Sequence, residues 1–519
     1  METVTINRMN TRMRLPAQAM PQRVRLERLL AEVLDRALES AIESYGLSKH
    51  GYLCVSRANA RVRLSLGQPD SALVHAIARA IADAIIRARD GETGVYYTSL
   101  VHALVDLVTA AARADLRRSW AWSQLGLWSG GRPRSAAEAA ERVMRALAAE
   151  PRHAVAAVAF ASRDGVAVQA LLRWAPAQTW SELAVAASRA FDGAIDLSES
   201  EQLVPASREA IAISRRIVRN SNLAVAVAAA PLSHLPDAAM RAIAVLIVLE
   251  SEPAAIRYGG APVRSIVETI AAMLRAQGAE AAGSSEIAEE DHTAGDERGA
   301  PDVQAGAAPG REESSEPITD TRDAEEHPLI EVQDDALGEV GGEAPAEIRR
   351  EAVTQAGGLL YLLNLIDRIE LPGAIMRDPR LARRGLRWAL NQLAIVLAGI
   401  AGDDPAALAF AGLLPDAKAP SMESDAPDDS ERSAIDEYRA AVVEHLRLAL
   451  AGRHDVAGWS DDALLEFVWR RRARILGDPG WIEIHYSLDD VSTEIRFAGL
   501  DFDPGWISWL GVVVRFVYA

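Results

Sequence analysis

The chain has 519 residues and a formal net charge of −18, and residues 280–347 alone account for this charge with 21 acidic residues and three arginines. The rest of the chain carries 52 acidic and 52 basic residues, a balance that argues against a nucleic-acid partner. Cys54 is the only cysteine, which excludes an intramolecular disulfide bond and a cysteine-rich metal site and suits a cytoplasmic location.

The sequence predicts neither a secretion signal nor a membrane span. Residues 1–15 alternate polar and apolar side chains and lack an apolar core followed by a cleavage site. The most apolar stretches, 223–232, 242–249 and 388–402, are interrupted or shorter than the roughly 20 residues that a membrane-spanning helix needs. We therefore expect a cytoplasmic protein.

The N-terminal residues predict a compact α+β domain. Residues 3–15 alternate like a strand, and apolar residues at three- and four-residue steps predict an amphipathic helix over 17–45. Two short strand patterns, 52–56 and 61–66, predict a hairpin. A second helix is expected to begin near Pro69.

The middle of the chain predicts alanine-rich helices that are separated by prolines. An acidic segment, residues 280–347, follows; it has no aromatic residue and only eight large aliphatic residues. Burying all eight would stabilise a fold by about 12–24 kcal/mol, whereas ordering the segment would cost on the order of 70–140 kcal/mol. Its composition predicts a disordered, self-repelling linker, with an acidic docking segment for a basic partner as the alternative.

Beyond this segment, apolar patterns predict helices over 348–371 and 381–400, and then over 434–450 and 461–475. After residue 480 the apolar residues recur at every second position. These residues predict strands on three faces, one led by Ile482, one formed by Val491, Ile495 and Phe497, and one led by Val512. We expect the chain to end in a small antiparallel sheet, or in strands added to the sheet of a partner.

The predicted fold class is mainly α with α+β units. The predicted regions are an α+β domain (1–96), a helical domain (97–277), a disordered acidic linker (278–347), a helical domain with a polar break at 417–432 (348–476) and a β segment (477–519).

Residues for catalysis or metal binding are not arranged in any motif that indicates a known chemistry. The ten histidines are scattered, and the motifs of zinc proteases, redox dithiols, serine hydrolases and phosphate-binding loops are missing. We therefore predict no metal and no other cofactor. His445 and His454 are expected to have surface or capping roles, and His485 is expected to form a polar pair with Glu483.

Carboxylates near the C-terminus are the main candidates for chemistry. Such side chains can serve glycoside hydrolysis or bind calcium, but they also favour tight turns, and we favour the turn interpretation. They are Asp489, Asp490, Glu494, Asp501 and Asp503.

Large apolar residues in two regions can serve a core or a binding surface. Residues 357–366 are apolar almost all round, so their helix must be buried in a core or against a partner. Trp506, Trp509 and Tyr518 have the same two alternatives.

Three segments of the sequence resemble the large proteins of bacterial phage-tail-like contractile injection systems that are usually called the tape-measure family. They are CVSR at 54–57 continuing into RVRL at 61–64, GGLLYLLNL at 357–365 ending at Pro372, and GWISWL at 505–510 with the closing aromatic strand. The resemblance covers about a third of the chain, and its motifs are structural rather than catalytic.

This resemblance implies a non-enzymatic protein that helps to assemble a contractile tube and sheath. Its expected partners are tube, cap and baseplate proteins and an AAA-type ATPase. The candidate partner-binding residues are Leu359, Leu360, Tyr361, Leu363, Leu365, Trp506, Trp509, Phe516 and Tyr518.

The predicted architecture differs from a literal ruler of tube length. A ruler should be a long uninterrupted helix that rises 1.5 Å per residue, whereas this chain predicts compact bodies joined by an acidic tether. We therefore expect an assembly or scaffolding factor. Two other hypotheses are a glycan or cell-envelope hydrolase that uses Glu483, Asp489 or Asp490, and a regulatory adaptor that docks through its acidic segment.

Overall fold

The computed structural model describes residues 4–278 and 345–518 apart from residues 16, 47–50, 92, 194, 196–206, 233, 260–262, 382, 421–425, 452–455 and 457. The predicted linker, 278–347, lies almost entirely outside the described residues. The described residues are mainly helical, with one two-stranded and one five-stranded sheet. The predicted fold class, mainly α with α+β units, is confirmed.

The N-terminal unit consists of helices that each bury one apolar face. α1 (Arg23–Glu32) and α2 (Leu38–Glu43) are joined by the π-helical turn Val33–Ala37 and pack against α3 (Asp70–Arg89). The helices predicted over 17–45 and near Pro69 are confirmed. They bury a common apolar cluster, which includes Leu26, Leu29, Val33, Leu38, Ile42, Leu73, Val74 and Ile77.

The strand predictions for this unit are only partly right. β1 (Tyr52–Val55) forms, but it pairs antiparallel with β2 (Gly94–Tyr97) and not with residues 61–66, so the predicted hairpin is wrong. The described residues of the predicted strand 3–15 are also irregular. Tertiary packing explains both differences, because the leucines of these two segments pack against the helices of the unit instead of entering a sheet.

The helical domain predicted over 97–277 consists mainly of helices in its described part, and prolines begin two of them, where the missing N–H group is no loss. Its helices are α4 (Leu100–Ala112), α5 (Ser119–Gln124), α6 (Ala136–Ala149), α7 (Pro151–Ala161), α8 (Val166–Trp174), α9 (Ala177–Ala190), α10 (Arg208–Arg219), α11 (Asn222–Ala228), α12 (Asp237–Ser251), α13 (Pro253–Tyr258) and α14 (263–278). α12 lies in the centre of this domain and is buried along almost its whole length.

The part after the acidic segment combines helices with a mixed sheet. Its helices are α15 (Leu362–Arg368), α16 (Leu371–Arg377), α17 (Leu386–Ala398), α18 (Pro405–Phe410), α19 (Asp429–Ala451), α20 (Asp461–Trp469) and α21 (Thr493–Phe497). Its strands are β3 (Arg350–Thr354), β4 (Ala473–Asp478), β5 (Trp481–Tyr486), β6 (Gly505–Ile507) and β7 (Val512–Tyr518). The strand order is β3-β4-β5-β7-β6, and β5 and β7 run parallel while the other neighbours are antiparallel.

Four predictions for this part differ from the structure. The predicted helix 348–371 begins with β3, and the predicted helix 461–475 ends at Trp469, because these two stretches pair with each other as strands. The predicted strand face with Val491 is the short helix α21, which the hydroxyl of Ser492 caps at its N-terminus. The sheet is also mixed rather than antiparallel throughout, because the connection from β5 to β7 crosses over.

A buried carboxylate joins the C-terminal sheet to the helical domain. Asp478, the last residue of β4, is fully buried and accepts hydrogen bonds from Arg349 Nη2 at 2.9 Å and from Thr98 Oγ1 at 3.0 Å. Arg349 also donates to the carbonyl oxygen of Thr98 at 3.1 Å. The cluster therefore ties together the sheet, the start of the helical domain and the chain that follows the acidic segment.

A second buried carboxylate connects the helical domain to a helix that follows the acidic segment. Glu252 accepts hydrogen bonds from the backbone N–H of Leu386 at 3.1 Å and from Arg216 Nη2 at 3.1 Å. Leu386 begins α17, where free N–H groups and the helix dipole favour a negative charge. Gly385 leaves room for the carboxylate, because it has a φ of +86° and a Cβ there would lie 2.2 Å from Glu252 Oε2.

Aromatic contacts connect the end of α9 to the strand β6. Trp506 Nε1 donates to the carbonyl oxygen of Ala190 at 2.8 Å, and its ring meets Phe191 edge-on with 4.9 Å between ring centroids. Ser508 Oγ donates to Asp192 at 2.5 Å. We call these contacts, together with those of Asp478 and Glu252, the junction; they hold together the two parts of the chain that the acidic segment separates in sequence.

None of the described helices is by itself long and apolar enough to cross a membrane. Only when they are taken together do the helices Pro151–Asp164 and Val166–Trp174 have the length and apolar composition of a membrane span, and the chain bends by 113° between them.

The ring of His153, on α7, also lies in the junction, 6.4 Å from the ring of Trp481 between centroids. Its Nδ1 atom is buried and has no hydrogen-bond partner among the described residues. Burial lowers the pKa of this imidazole from 6.5 to about 4, with a smaller contribution from Arg152. The folded protein therefore holds His153 neutral at pH 7.

We expect the two parts of the chain to stay together after the acidic segment is cut, because the junction consists of residues outside that segment. A protease site inserted after Gly310 of the full chain would allow cleavage. The two fragments should then elute together in size-exclusion chromatography. Fragments that separate at micromolar concentration would contradict the junction. Glu252→Ala combined with Arg349→Ala should release them, because each change leaves buried polar groups without a partner.

We expect His153 to make the protein less stable at mildly acidic pH. The unfolded chain binds a proton at His153 near pH 6.5 and the folded chain only near pH 4, so the free energy of unfolding should fall as the pH drops through this window. The loss for this one group is at most about 3 kcal/mol.

Urea unfolding of the wild-type protein and of His153→Phe at pH 7.5 and pH 5 measures this effect. The variant should lose less stability than the wild type. His75→Phe is the matched control, because His75 is exposed. If His153→Phe and the wild type lose the same stability, His153 does not titrate as the structure requires.

Candidate interaction surface

The first set of predicted partner-binding residues lies inside the protein. The apolar run 357–366 is expected in a core or against a partner, and in the structure it lies in the core. The side chains of its predicted partner-binding residues are at most 2% exposed. The residues are Leu359, Leu360, Tyr361, Leu363 and Leu365.

The glycines that begin this run allow its close packing. A Cβ at Gly357 would lie 2.3 Å from Cβ of Ala473, and a Cβ at Gly358 would lie 2.0 Å from the carbonyl oxygen of Val468. The run can therefore approach β4 and α20 only if these two positions have no side chain. The glycine pair is explained by packing.

The aromatic residues of the terminal strand complete the same core. The rings of Tyr361 and Phe516 lie 5.2 Å apart between centroids, and the Tyr361 hydroxyl lies 3.1 Å from that of Tyr518. Phe516 and Tyr518 are partly buried. Trp509 is buried and donates to Asp367 at 2.7 Å, while Trp506 belongs to the junction. The predicted aromatic residues thus contact the protein's own core and junction.

A different group of apolar residues is exposed nearby in the sequence. Residues 487–504 cross from β5 to β6, and three of their large apolar side chains are more than 60% exposed. They are Leu488 at 64%, Phe497 at 63% and Phe502 at 65%, with Val491 at 38% beside them. We call these four residues the crossover surface. Exposed aromatic residues are unfavourable in water and are typical of binding surfaces.

Hydrogen bonds from the core hold this segment in place. Asn364 Nδ2 donates to the carbonyl oxygens of Leu500 at 2.9 Å and Phe502 at 2.8 Å. Arg496 donates to the buried Asp501 at 2.9 Å. Because the backbone is fixed in this way, the crossover surface presents its rings without a large loss of conformational freedom on binding.

An open cleft of about 750 Å³ adjoins the crossover surface at Val491. Trp459 and Phe467 provide its apolar walls, and Asp489 and Asp490 lie at its edge. Buried Arg471 donates to the carbonyl oxygens of Phe467 at 2.6 Å and Asp490 at 3.4 Å and so joins the two sides of the cleft. The cleft combines flat apolar walls with a polar edge, which suits a peptide side chain.

The carboxylates considered for catalysis lie in different surroundings. Glu483 is buried and accepts hydrogen bonds from Trp481 Nε1 at 2.9 Å and from His485 at 3.3 Å. Asp489 and Asp490 lie on a 3-10 turn at the cleft. Glu483 thus belongs to the junction and the two aspartates to the cleft.

The remaining polar candidates serve local structure. Asp501 pairs with Arg496, Asp503 accepts a hydrogen bond from the backbone N–H of Phe516 at 3.1 Å, and Glu494 accepts one from Ser492 at 2.7 Å.

His445 is exposed and its Nδ1 contacts the carbonyl oxygen of Ala441, whereas His454 lies outside the described residues. Within the described part of the chain, no three histidine, cysteine or acidic side chains form a group that could hold a metal ion.

The exposed aromatic residues of the crossover surface were not among the sequence predictions. The sequence pattern predicts Phe497 on a strand face and predicts no role for Phe502. A signal for Phe502 was present, since it stands in the run Asp501, Phe502, Asp503, Pro504, and an aromatic residue among turn-forming residues is hard to bury.

Comparisons with known proteins give no match: no protein-family model, no curated protein sequence and no solved structure matches this chain.

Asn364→Ala should loosen the crossover without unfolding the protein. The change removes two hydrogen bonds and leaves two carbonyl groups to water, so we expect the free energy of unfolding to fall by about 1–2 kcal/mol. The backbone amides of residues 498–503 should exchange hydrogen roughly tenfold faster. Hydrogen exchange with mass spectrometry measures the effect, and Asn59→Ala, at an exposed position, is the control. Unchanged exchange at 498–503 would show that Asn364 does not hold the segment.

Proposed function

We propose that this protein is a non-enzymatic assembly or scaffolding component of a contractile, phage-tail-like injection system in the bacterial cytoplasm. It would act by binding other proteins of the particle, namely tube, cap or baseplate proteins, with an AAA-type ATPase as a further partner. The observation that carries the interaction role is the crossover surface, which presents Phe497 and Phe502 to solvent on a backbone that is fixed by hydrogen bonds.

The segments that resemble the tape-measure family support the proposal through their positions. Residues 54–57 include the end of β1 and residues 505–510 include β6, while 357–365 pack against β4. Trp506 of the third segment lies in the junction. Trp509 of the same segment donates a hydrogen bond to Asp367, which closely follows the second segment in sequence. The second and third segments therefore cover residues of the core and the junction, whereas residues 57 and 61–63 of the first segment are exposed.

The shape of the described part favours a scaffold over a ruler. Its longest helix is α19 with 23 residues, which corresponds to about 35 Å at 1.5 Å per residue. The helices otherwise fold back on each other within two large apolar cores. A protein of this form can hold partners in place but cannot measure a long tube by its own length.

The hydrolase hypothesis has less support from the geometry. A pair of catalytic carboxylates must face a common substrate across an open cleft. Glu483 is instead enclosed in the junction by Trp481, His485 and Arg349, while Asp489 faces solvent on a turn.

Loss of the crossover surface should abolish partner binding while the fold is preserved. We expect Phe497→Ser combined with Phe502→Ser to reduce the recovery of co-expressed tube, cap or baseplate proteins with the tagged full-length chain at least tenfold. The melting temperature should change little, because both side chains are largely exposed.

Val225→Ser combined with Leu448→Ser is the matched control, since these side chains are 65% and 67% exposed but lie elsewhere. It should reduce recovery less than twofold. If the wild-type chain recovers none of these proteins, the assembly function is wrong. If it recovers them and the two double variants behave alike, the crossover surface is not the binding site.

A further inference from the structure

Two irregular segments of the N-terminal unit carry exposed arginines that have no counter-charge among the described residues. The segments 4–15 and 57–66 border the apolar cluster of α1, α2 and α3, where Leu15, Leu64 and Leu66 are partly buried. Their arginines are all exposed, and within the described part of the chain none makes an ion pair or a side-chain hydrogen bond. We call these six residues the arginine surface: Arg8, Arg12, Arg14, Arg57, Arg61 and Arg63.

These segments differ from the neighbouring helices because acidic residues are missing from their sequence. On the neighbouring helices, Arg25 and Arg28 pair with Asp70 at 2.6 and 2.7 Å. In the sequence, by contrast, no acidic residue occurs between Glu2 and Glu27 or between Glu43 and Asp70. Because like charges that are neighbours in sequence repel each other, such segments are more stable when an anionic partner covers them.

Apolar side chains are interspersed with these arginines. Ile6, Met9 and Val62 are 42%, 39% and 43% exposed, and each stands within two residues of an arginine. A partner that covers the surface must therefore neutralise charge and also cover apolar groups. An acidic polypeptide with scattered aliphatic residues meets both needs, whereas a nucleic-acid backbone meets only the first.

The chain itself contains such a polypeptide. Residues 280–347 have a charge of −18 and include aliphatic residues beside acidic ones, for example Ile330, Glu331 and Val332. The rest of the chain has no net charge, and the arginine surface lies in two stretches of sequence without an acidic residue, so its charge is complementary to that of the acidic segment.

The segment also ends close to the N-terminal unit. Two residues after it, Arg349 donates to the carbonyl oxygen of Thr98, which immediately follows β2. β2 pairs with β1, and β1 leads directly into residues 57–66. A chain of this length has a root-mean-square span of about 45 Å, while a domain of 90 residues is about 30 Å across. The segment can therefore reach the arginine surface of its own chain.

We propose that the acidic segment 280–347 binds the arginine surface of its own chain. The contact is a polyelectrolyte contact supported by aliphatic side chains, and tethering gives the segment an effective concentration in the millimolar range. Any other acidic ligand of this surface must displace the segment first. This inference is independent of the proposed assembly function and does not involve the crossover surface.

The test compares the full-length chain with a chain in which residues 280–344 are replaced by a glycine–serine linker of equal length. A fluorescein-labelled peptide of residues 280–347 is titrated with each protein at low ionic strength, and binding is followed by fluorescence anisotropy. The linker-replaced chain should bind the peptide at least tenfold more tightly than the full-length chain, whose own segment occupies the surface. Equal affinities would overturn the proposal.

A matched pair of charge variants of the linker-replaced chain locates the contact. Replacing all six residues of the arginine surface by glutamine should weaken peptide binding at least tenfold. The control replaces six other exposed arginines by glutamine and should change binding less than twofold. The control positions are Arg132, Arg152, Arg189, Arg208, Arg215 and Arg219. If both variants weaken binding equally, the attraction is nonspecific and the proposal fails.

Two further measurements separate this contact from other occupants. A single-stranded oligonucleotide of equal charge should compete more weakly than the unlabelled peptide, and stronger competition would assign the surface to nucleic acid and overturn the proposal. Sedimentation velocity of the full-length chain should show a monomer at low salt. A dimer that the linker replacement abolishes would show that the segment binds a second copy, which also contradicts the proposal.

Discussion

The buried carboxylate of Asp478 constrains how the two parts of the chain meet. A fully buried negative charge is tolerated only when it is paired and hydrogen-bonded. Its partners, Arg349 and Thr98, come from the stretch after the acidic segment and from the start of the helical domain. Arg349 belongs to the same part of the chain as Asp478 and Thr98 to the other part, so the complete set of hydrogen bonds forms only when the sheet lies against the helical domain.

The other contacts of the junction depend on similar local fits. Glu252 reaches the start of α17 because Gly385 has no side chain at that point. Trp506 fills the space beside Phe191 and satisfies its indole N–H on the carbonyl oxygen of Ala190. Each contact combines exact placement of a polar group with the burial of apolar surface. The segments of the resemblance thus have a physical role in this chain, since Trp506 and the glycine pair at 357–358 serve close packing.

The two surfaces that we assign to binding differ in their chemistry and in how firmly hydrogen bonds hold their backbone. The crossover surface is apolar, and Asn364 fixes its backbone, so it is suited to a partner with a matching apolar site. The arginine surface is charged and lies on irregular segments, so it is suited to an acidic polypeptide whose contacts are less exact. The two surfaces therefore suit partners of different chemistry.

The sequence by itself determined most of the helices, the two long strands at the C-terminus and the acidic composition of the central segment. These features depend on neighbouring residues: apolar side chains three or four positions apart define a helix face, and Pro151 and Pro253 mark helix starts. Only the tertiary structure decided that β1 pairs with β2, that residues 350–354 form a strand on β4, and that Leu359 is buried while Phe497 and Phe502 are exposed. The physical reason is that strand pairing and burial depend on residues that are distant in sequence, and a local pattern does not contain that information.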